Sequence, residues 1–360
     1  MRLLPLALLI VPLVANSASG ADLQSSAAPP STPAATVIFK DAKKSVSLGV
    51  SAQLWAVPMV GSDAQQANGD AIDSPGFLAR RAGLALDIKL GSDLQFYMNL
   101  NPLAESPLYD LRLRWLYRPN MALAMGVAQV PYSASLSQSS SSMRFMERPI
   151  SSAGAAIGRR VGLTAEGNYY AGKLSYHLGV YNGGDDKANN RGGLAFGGRL
   201  QSEPFGSLSK LKSKALRLRL GAAAVYDDGP SVNTQAMSAD VTIEAAGFRL
   251  YTEFLLDERA PDALPTTPIA LGGDVARQTM LIEAGYFVWG DRLELVARGE
   301  LYDNNRVLTD HGDQTVLTGG ANLYFKGHNL KLQMNYIHRA ENGGGGLDND
   351  ALLVGVAAAL

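Results

Sequence analysis

The chain has no cysteine among its 360 residues. Disulfides, thiolate metal sites and a lipid-modified cysteine anchor are therefore excluded. Histidine is scarce: His177, His311, His328 and His338 are the full set, and they stand at no metal-ligand spacing. No stretch reaches 18 consecutive apolar residues, so a helical membrane span is excluded as well. Neither sign of charge dominates, with 32 Lys and Arg against 33 Asp and Glu. Composition alone then implies no nucleic-acid partner. No helix and Lys-Ser/Thr pattern follows Gly343–Gly346, so that run is an outer loop rather than a phosphate cradle.

What is present starts with an export pattern. Met1-Arg2 precedes an almost wholly apolar stretch from Leu3 to Ala15, and Ala18-Ser19-Gly20 follows. This predicts a signal peptide over 1–20. Residues 21–44, rich in Ala, Ser and Pro as far as Thr36, read as a flexible periplasmic leader.

From 45 to 360 the chain alternates apolar and polar residues in short stretches. Leu216-Arg217-Leu218-Arg219-Leu220 is the clearest. Leu84, Leu86 and Ile88 oppose Asp87 and Lys89, and Leu330, Leu332 and Met334 oppose Lys331, Gln333 and Asn335. Each such strand has one greasy and one polar face. A soluble sandwich would have to cover every greasy face with a second layer, and the many alternating Arg and Glu argue against it. A barrel with lipid outside and water inside meets both faces at once. The predicted fold is all-β: a transmembrane antiparallel β-barrel of about sixteen strands.

The connections support this. Tight ones fall near Gly91, Asn120, Gly172, Gly247, Gly290 and Gly327. Long ones are expected near 59–77, 101–107, 131–158, 183–191, 227–238, 258–276, 303–314 and 341–349. Short periplasmic turns and long outer loops are the habit of such barrels. One connection, 202–213, should be short but is long, and carries Lys210 and Lys212. Trp115, Tyr117, Tyr286, Phe325 and Tyr336 are candidates for interfacial aromatic girdles.

Charge is unevenly placed. From Leu78 to Arg160 there are 10 Lys and Arg against 5 Asp and Glu; from Val161 onward there are 18 against 23. Arg112 and Arg114, two apart on one strand face, must point into the lumen, because arginine facing lipid costs about 2–4 kcal/mol at the midplane. They either present free charge to solutes or pair with lumen acids such as Asp110.

The longest connection runs from 131 to 158 and is the third outer loop if the N-terminus starts in the periplasm. It is entered through Gly126-Val127-Ala128-Gln129-Val130-Pro131-Tyr132-Ser133 and contains Arg144-Phe145-Met146-Glu147-Arg148-Pro149. With the Val161-Gly162 that follows, these residues resemble the phosphate-selective porin O and P family. The Phe145 to Arg148 block is the specific part, and a weaker similarity extends over about 38–360. The resemblance implies a 16-stranded, trimeric outer-membrane barrel whose third loop folds inward. It also implies anion or phosphate preference from inward arginines and a central lysine cluster. Here Gln129 stands where the family often has a basic residue, and between Leu78 and Arg160 the only lysine is Lys89.

The candidate pore-lining and constriction residues are Arg81, Lys89, Arg112, Arg114, Arg144, Glu147 and Arg148. Arg144, Glu147 and Arg148 either bind a passing anion or clamp the loop to the wall. Ser139–Ser142 offers hydroxyls or is simply a mobile run. The expected function is an outer-membrane porin of a Gram-negative bacterium, passing small hydrophilic solutes with a mild anion preference. Its partners would be outer-membrane lipid, small anions and two further copies of itself, with no cofactor and no metal. A barrel with a blocked lumen, serving structure or adhesion, is the alternative. An enzyme is not expected: no catalytic set accompanies His338, which lies on the lipid-facing parity.

Overall fold

The structure is a computed structural model that describes residues 35–63, 74–104, 106–150, 157–184, 193–229, 232–261, 275–307, 309, 312–342 and 346–360. The segments expected to be a signal peptide and, for the most part, a leader lie outside them. Seventeen strands follow in chain order: β1 (Ala35–Lys40), β2 (Lys44–Val60), β3 (Gly76–Leu90), β4 (Leu94–Leu100), β5 (Leu108–Arg118) and β6 (Met121–Gln129) precede the long loop. After it come β7 (Arg159–Tyr169), β8 (Leu174–Asn182), β9 (Leu194–Ser202), β10 (Arg217–Asp228), β11 (Val232–Ala245) and β12 (Phe248–Pro261). The last five are β13 (Val275–Trp289), β14 (Leu293–Asp303), β15 (Gln314–Tyr324), β16 (Leu330–Glu341) and β17 (Ala351–Ala359).

From β2 to β17 each strand pairs antiparallel with the next, and β17 pairs back onto β2 with Ala351 opposite Val60 and Ala359 opposite Ser51. Val50 and Leu360 exchange both backbone hydrogen bonds, at 3.0 and 2.8 Å, and complete the seam. The result is a closed 16-strand antiparallel barrel. Closure leaves no open edge in the ring, which is what a sheet needs to sit in hydrocarbon. β1 is additional. It folds back on Ser45–Gly49 of β2 as a short hairpin. The stretch read as a flexible leader therefore contains a strand, because Thr36–Phe39 is locally β-branched and aromatic despite the Ala- and Pro-rich residues before it.

Period-2 alternation sorts the side chains as the sequence implies. Along β10, Leu220, Ala222, Ala224 and Tyr226 are exposed on the outside, while Ala223, Val225 and Asp227 are buried inside. The lumen face carries charge at full burial: Glu244, Glu253, Glu294 and Glu300 are each 1 % exposed and Lys331 is 0 % exposed. The girdle candidates Trp115, Tyr117, Tyr286, Phe325 and Tyr336 all face outward and are 44–64 % exposed. The apolar core also lies inside the barrel. One cluster packs Val130 and Tyr132 of the loop on Tyr181, Val225 and Leu255 of the wall; another packs Met146 on Trp55, Ile337 and Leu353.

Tight turns form where the backbone can turn left-handed. Ala246 and Gly247, at φ 50° and 84°, make the two-residue β11–β12 turn. One expected long connection is absent. β10 ends at Asp228 and β11 begins at Val232, so 227–238 is mostly strand. Val232–Ala239 looks like a loop because its lumen-facing residues, Thr234 and Ser238, and outward Gln235 are all polar, yet its burial alternates.

Without native cysteines, single cysteines report their site cleanly. Probes at 220, 222, 224 and 226 should be quenched by nitroxide lipids, and those at 221, 223 and 225 should not. Because Val225 packs on the loop, inner probes should also show low water access. A helical or uniform quenching pattern would contradict the barrel.

Candidate functional site: the constriction loop and the facing wall

Residues 130–150 run inside the barrel, as their hydrogen bonds show. Pro131–Ser133 leads into a single helical turn, Ala134–Ser137, capped by the Ser133 hydroxyl, which accepts from the Leu136 N–H. This turn is fixed to the inward face of β12, where the Ala134 N–H and the Ser135 hydroxyl donate to Glu253 at 2.7 and 2.6 Å. On β11, the Ser238 hydroxyl donates to the Tyr132 carbonyl at 2.5 Å. The serine run forms a 3-10 turn, Ser140–Ser142, and the Ser140 carbonyl accepts from Gln53 of β2 at 2.8 Å. At the root, Gln129 donates its amide to the Ile157 carbonyl at 2.9 Å and closes the neck of the loop.

The Arg144–Arg148 block is the centre of the attachment. Arg144 donates to Glu294 of β14 at 3.1 Å. Its carbonyl accepts from Asn322 of β15 at 2.8 Å and Gln333 of β16 at 3.1 Å. The Met143 carbonyl accepts from Lys331, and the Met146 N–H donates to Asn335 at 2.7 Å. The Ile150 N–H reaches Glu300 at 2.7 Å. Glu147 takes Arg80 at 2.8 Å and also Arg81, while its carbonyl accepts from Arg298 at 2.9 Å. Arg148 folds back onto the loop, donating to the Ser135 and Gln138 carbonyls at 2.7 and 2.6 Å. Of the two readings of this block, the clamp is the one the geometry realises. Arg144 and Glu147 are both taken up by wall partners of opposite charge and hold the loop.

Burial by itself would raise the Glu147 carboxyl, but the Arg81 and Arg80 guanidiniums beside it outweigh that and hold it below its ordinary range. The clamp therefore stays charged at neutral pH. Its stabilisation is present above the ordinary carboxylate pKa and is lost as pH falls through the depressed one.

Arg80 escaped the sequence reading. Strict alternation puts Arg80 and Arg81 on opposite faces, yet both serve Glu147 and both lie over the Trp55 ring, at 5.6 and 5.8 Å. A bulge is the reason: Gln53 pairs with Arg81 and Leu54 with Ala79, so Arg80 is an extra residue on β3. No residue in the sequence signals it. The carboxylates Glu253, Glu294 and Glu300 stand on the lumen parity of their strands, which does not tell what they meet.

Across from the loop, the wall from β4 to β9 carries the other predicted arginines. Arg114 pairs with Glu166 of β7. Asp110, suggested as an arginine partner, takes Arg159 at 3.3 Å instead. Arg112 is 6 % exposed, its Nε has no partner, and it lies over the Tyr97 ring at 5.7 Å. Register sets Arg112 beside Gly126, then Gly162, then Tyr181. A side chain at Gly162 would bring its Cβ within 2.5 Å of the Tyr181 ring, so the wall stays low between the arginine and the tyrosine. Among the described residues, neither Arg112 nor Arg148 has a carboxylate within 4 Å. Lys89 stands elsewhere, exposed near the end of β3 opposite Ser45 at the short-turn rim. It is not part of the constriction, since β3 carries it well past the level of Arg81.

His338 has a partner that the sequence did not suggest. Its Nδ1 lies 2.9 Å from Asp350, which also accepts from the Tyr336 hydroxyl, all on the outer face near the long-loop rim. No metal-holding group of His, Asp and Glu forms among the described residues.

A sequence profile of the phosphate-selective porin O and P family matches residues 59–242. No curated relative matches the chain. Among solved structures, the chain is similar to an anion-selective porin from Comamonas acidovorans, with 14% identity, 88% of this chain and 100% of that one covered, and a TM-score of 0.61. It is similar to outer-membrane OmpT of Vibrio cholerae, with 10% identity, coverage of 90% and 100%, and a TM-score of 0.60. It is also similar to Salmonella typhi OmpF solved with daunomycin, with 13% identity, coverage of 90% and 100%, and a TM-score of 0.59. At these identities the likeness shows the fold.

Breaking a buried ion pair by removing one partner costs about 3–5 kcal/mol. Glu147→Gln should therefore loosen the loop without opening the barrel. The expected readout is a larger or noisier single-channel conductance with unchanged heat-modifiable migration on gels. Unchanged, quiet conductance would show that the clamp does not hold the loop.

Proposed function

The chain belongs to the phosphate-selective porin O and P family and is an outer-membrane porin, and from that premise we propose that it passes small hydrophilic solutes by diffusion with a mild preference for anions. The observation that carries the preference is the unneutralised charge of Arg112 on the wall and Arg148 on the loop. The other constriction arginines are offset: Arg80 and Arg81 by Glu147, Arg114 by Glu166, Arg144 by Glu294. A constriction of mostly paired charges, with two guanidiniums that have no carboxylate partner among the described residues, suits a few-fold selectivity, because a charge a few ångströms from an ion in water contributes only about 1 kcal/mol. A dedicated phosphate site would call for several unpaired cations converging on one point, and the pairing argues against that sharper reading.

The same proposal places the protein in the outer membrane of a Gram-negative bacterium, as a homotrimer with no catalytic role. An outward apolar groove of about 460 Å³ between β2, β3, β16 and β17, lined by Leu54, Phe77, Leu332 and Val354, supports contact with lipid or with another copy. One of the solved Vibrio cholerae OmpT structures is described as a trimer form.

The two predicted wall arginines should now behave differently. Arg112→Ala should move the zero-current potential in a KCl gradient toward cations. Removing Arg114 together with its partner, as Arg114→Ala with Glu166→Gln, should move it less, since that pair carries no net charge. A wild-type channel that prefers cations, or equal shifts from both variants, would overturn this assignment.

A further inference from the structure

The constriction loop does not stay near the mouth it enters from. Glu147 meets Arg80 and Arg81, near the long-loop end of β3. Met143 and Arg144 instead meet the far ends of the strands. Glu294 is the second residue of β14, Lys331 the second of β16, and Asn322 the third from the end of β15. The loop therefore slants through the lumen, and its Met143–Arg144 tip lies at the level of the short turns.

One connection at that end is oversized. Between β3 and β17 the short-turn connections run from two residues, 119–120, to five, 325–329, except that between β9 and β10, which spans 203–216. Strand pairing stops there at Ser202 opposite Leu220, so the sheet makes no use of the excess. Neighbouring turns pin it instead. The Ser209 N–H and hydroxyl donate to Glu244 of β11 at 2.9 and 2.8 Å. The Lys214 and Ser213 carbonyls accept from Ala246 and Gly247 of the β11–β12 turn at 3.3 and 2.8 Å. The Lys212 ammonium donates to the Gly290 carbonyl of the β13–β14 turn at 2.6 Å. Two contacts then join this connection to the loop. Arg144 directs one fork nitrogen to Glu294 at 3.1 Å and the other to the Leu211 carbonyl at 2.6 Å. The second contact runs through His328 in the β15–β16 turn. Its ring is hydrogen-bonded to the Lys210 backbone, and its Nδ1 lies 3.4 Å from the Lys331 ammonium, which donates to the Met143 carbonyl. Burial and the neighbouring Lys331 charge push the His328 pKa well below its ordinary value, so the ring is neutral. A neutral imidazole has one N–H and one acceptor nitrogen, which suits a bridge between a carbonyl and an ammonium.

We infer that the β9–β10 connection is a strut that sets the position of the constriction loop, with His328 as a positioning residue. The pore aperture is then fixed from the short-turn end as well as from the root of the loop. The wall anchors of the tip, Glu294, Asn322 and Gln333, all lie on β14–β16, to one side of it. They hold the tip against that wall. The strut closes the remaining direction, along the barrel axis toward the short turns. In treating the loop as a constriction, the inference rests on the reading of the chain as an open channel.

A nitroxide label on Ser141→Cys reports the loop directly, since the chain has no other cysteine and Ser141 is half-buried two residues before Met143. Its spectrum is read beside single-channel recordings in symmetrical KCl. Deleting 205–211 should mobilise the label and raise the open-channel noise. His328→Leu keeps the connection but removes both ring hydrogen bonds, and should act in the same direction. His328→Gln, whose amide both donates and accepts, should restore the immobile label and the quiet channel. Arg144→Lys keeps a cation for Glu294 but loses the fork that reaches Leu211, so it should add nothing to the deletion, whereas Glu147→Gln should add to it. An immobile label and quiet channel in the deletion, or equal effects of His328→Leu and His328→Gln, would overturn the strut. If the deletion fails to fold, seen as lost heat-modifiable migration, the two His328 variants decide. Absence of any conductance steps would instead refute the channel reading, while the label still tests the strut.

Discussion

Hydrocarbon offers no hydrogen bonds to a peptide backbone, and every N–H and C=O that enters it must find its partner within the protein. The rest of this structure depends on that constraint. It forces the sheet to close, and closure through β17 and β2 turns one face of every strand inward. The inward face can then hold Glu244, Glu253, Glu294, Glu300 and Lys331 at almost complete burial, because each meets charge, backbone or loop rather than lipid. The usual arrangement of a globular fold is reversed. Exposed Leu, Met and Phe cover the outside, and the polar groups form the interior.

A ring of this size encloses more space than wall side chains can fill, and the loop between β6 and β7 fills part of it. The loop carries its own apolar residues, Val130, Tyr132 and Met146, and packs them on the few apolar positions of the inner wall. Packing alone would let it slide. Charged and amide groups from β3, β12, β14, β15 and β16 fix its position through Glu147, Ala134, Arg144 and Met146. Because these anchors belong to different strands around the ring, the barrel and its constriction are one mechanical unit.

The charges follow the same geometry in layers. Arginines, with planar forks suited to carboxylates, occupy the middle of the wall and are mostly paired. Lysines, on long flexible stems with strongly hydrated heads, gather at one rim where water is available. The connection between β9 and β10, which carries Lys210, Lys212 and Lys214, joins these layers. Its backbone supports Arg144 from below, and its lysines face the mouth. Net charge near zero over the whole chain therefore conceals a strong separation along the barrel axis.

Side-chain alternation is local, so the sequence by itself determined most of the barrel strands, their number as about sixteen, the short and long ends, and which residues meet lipid. Leu220, Ala222 and Tyr226 could be placed outside from period 2 alone. The family was legible too, in Phe145-Met146-Glu147-Arg148. The sequence misplaced a loop at 227–238, since polar inward threonine and serine mimic a turn, and it missed β1. Only the tertiary structure decided which charges meet. Arg144 and Gln333 are 189 residues apart, and only the register of the closed ring brings them together. The same holds for Glu166 with Arg114 and for the Leu211 carbonyl of the β9–β10 connection with Arg144. Arg80 faces inward because of one extra residue in the β2–β3 ladder, a bulge that no residue type announces. Pattern reports which face a residue is on; the register between distant strands sets its partner, and here the partner determines whether an arginine holds the loop or remains free to attract an ion.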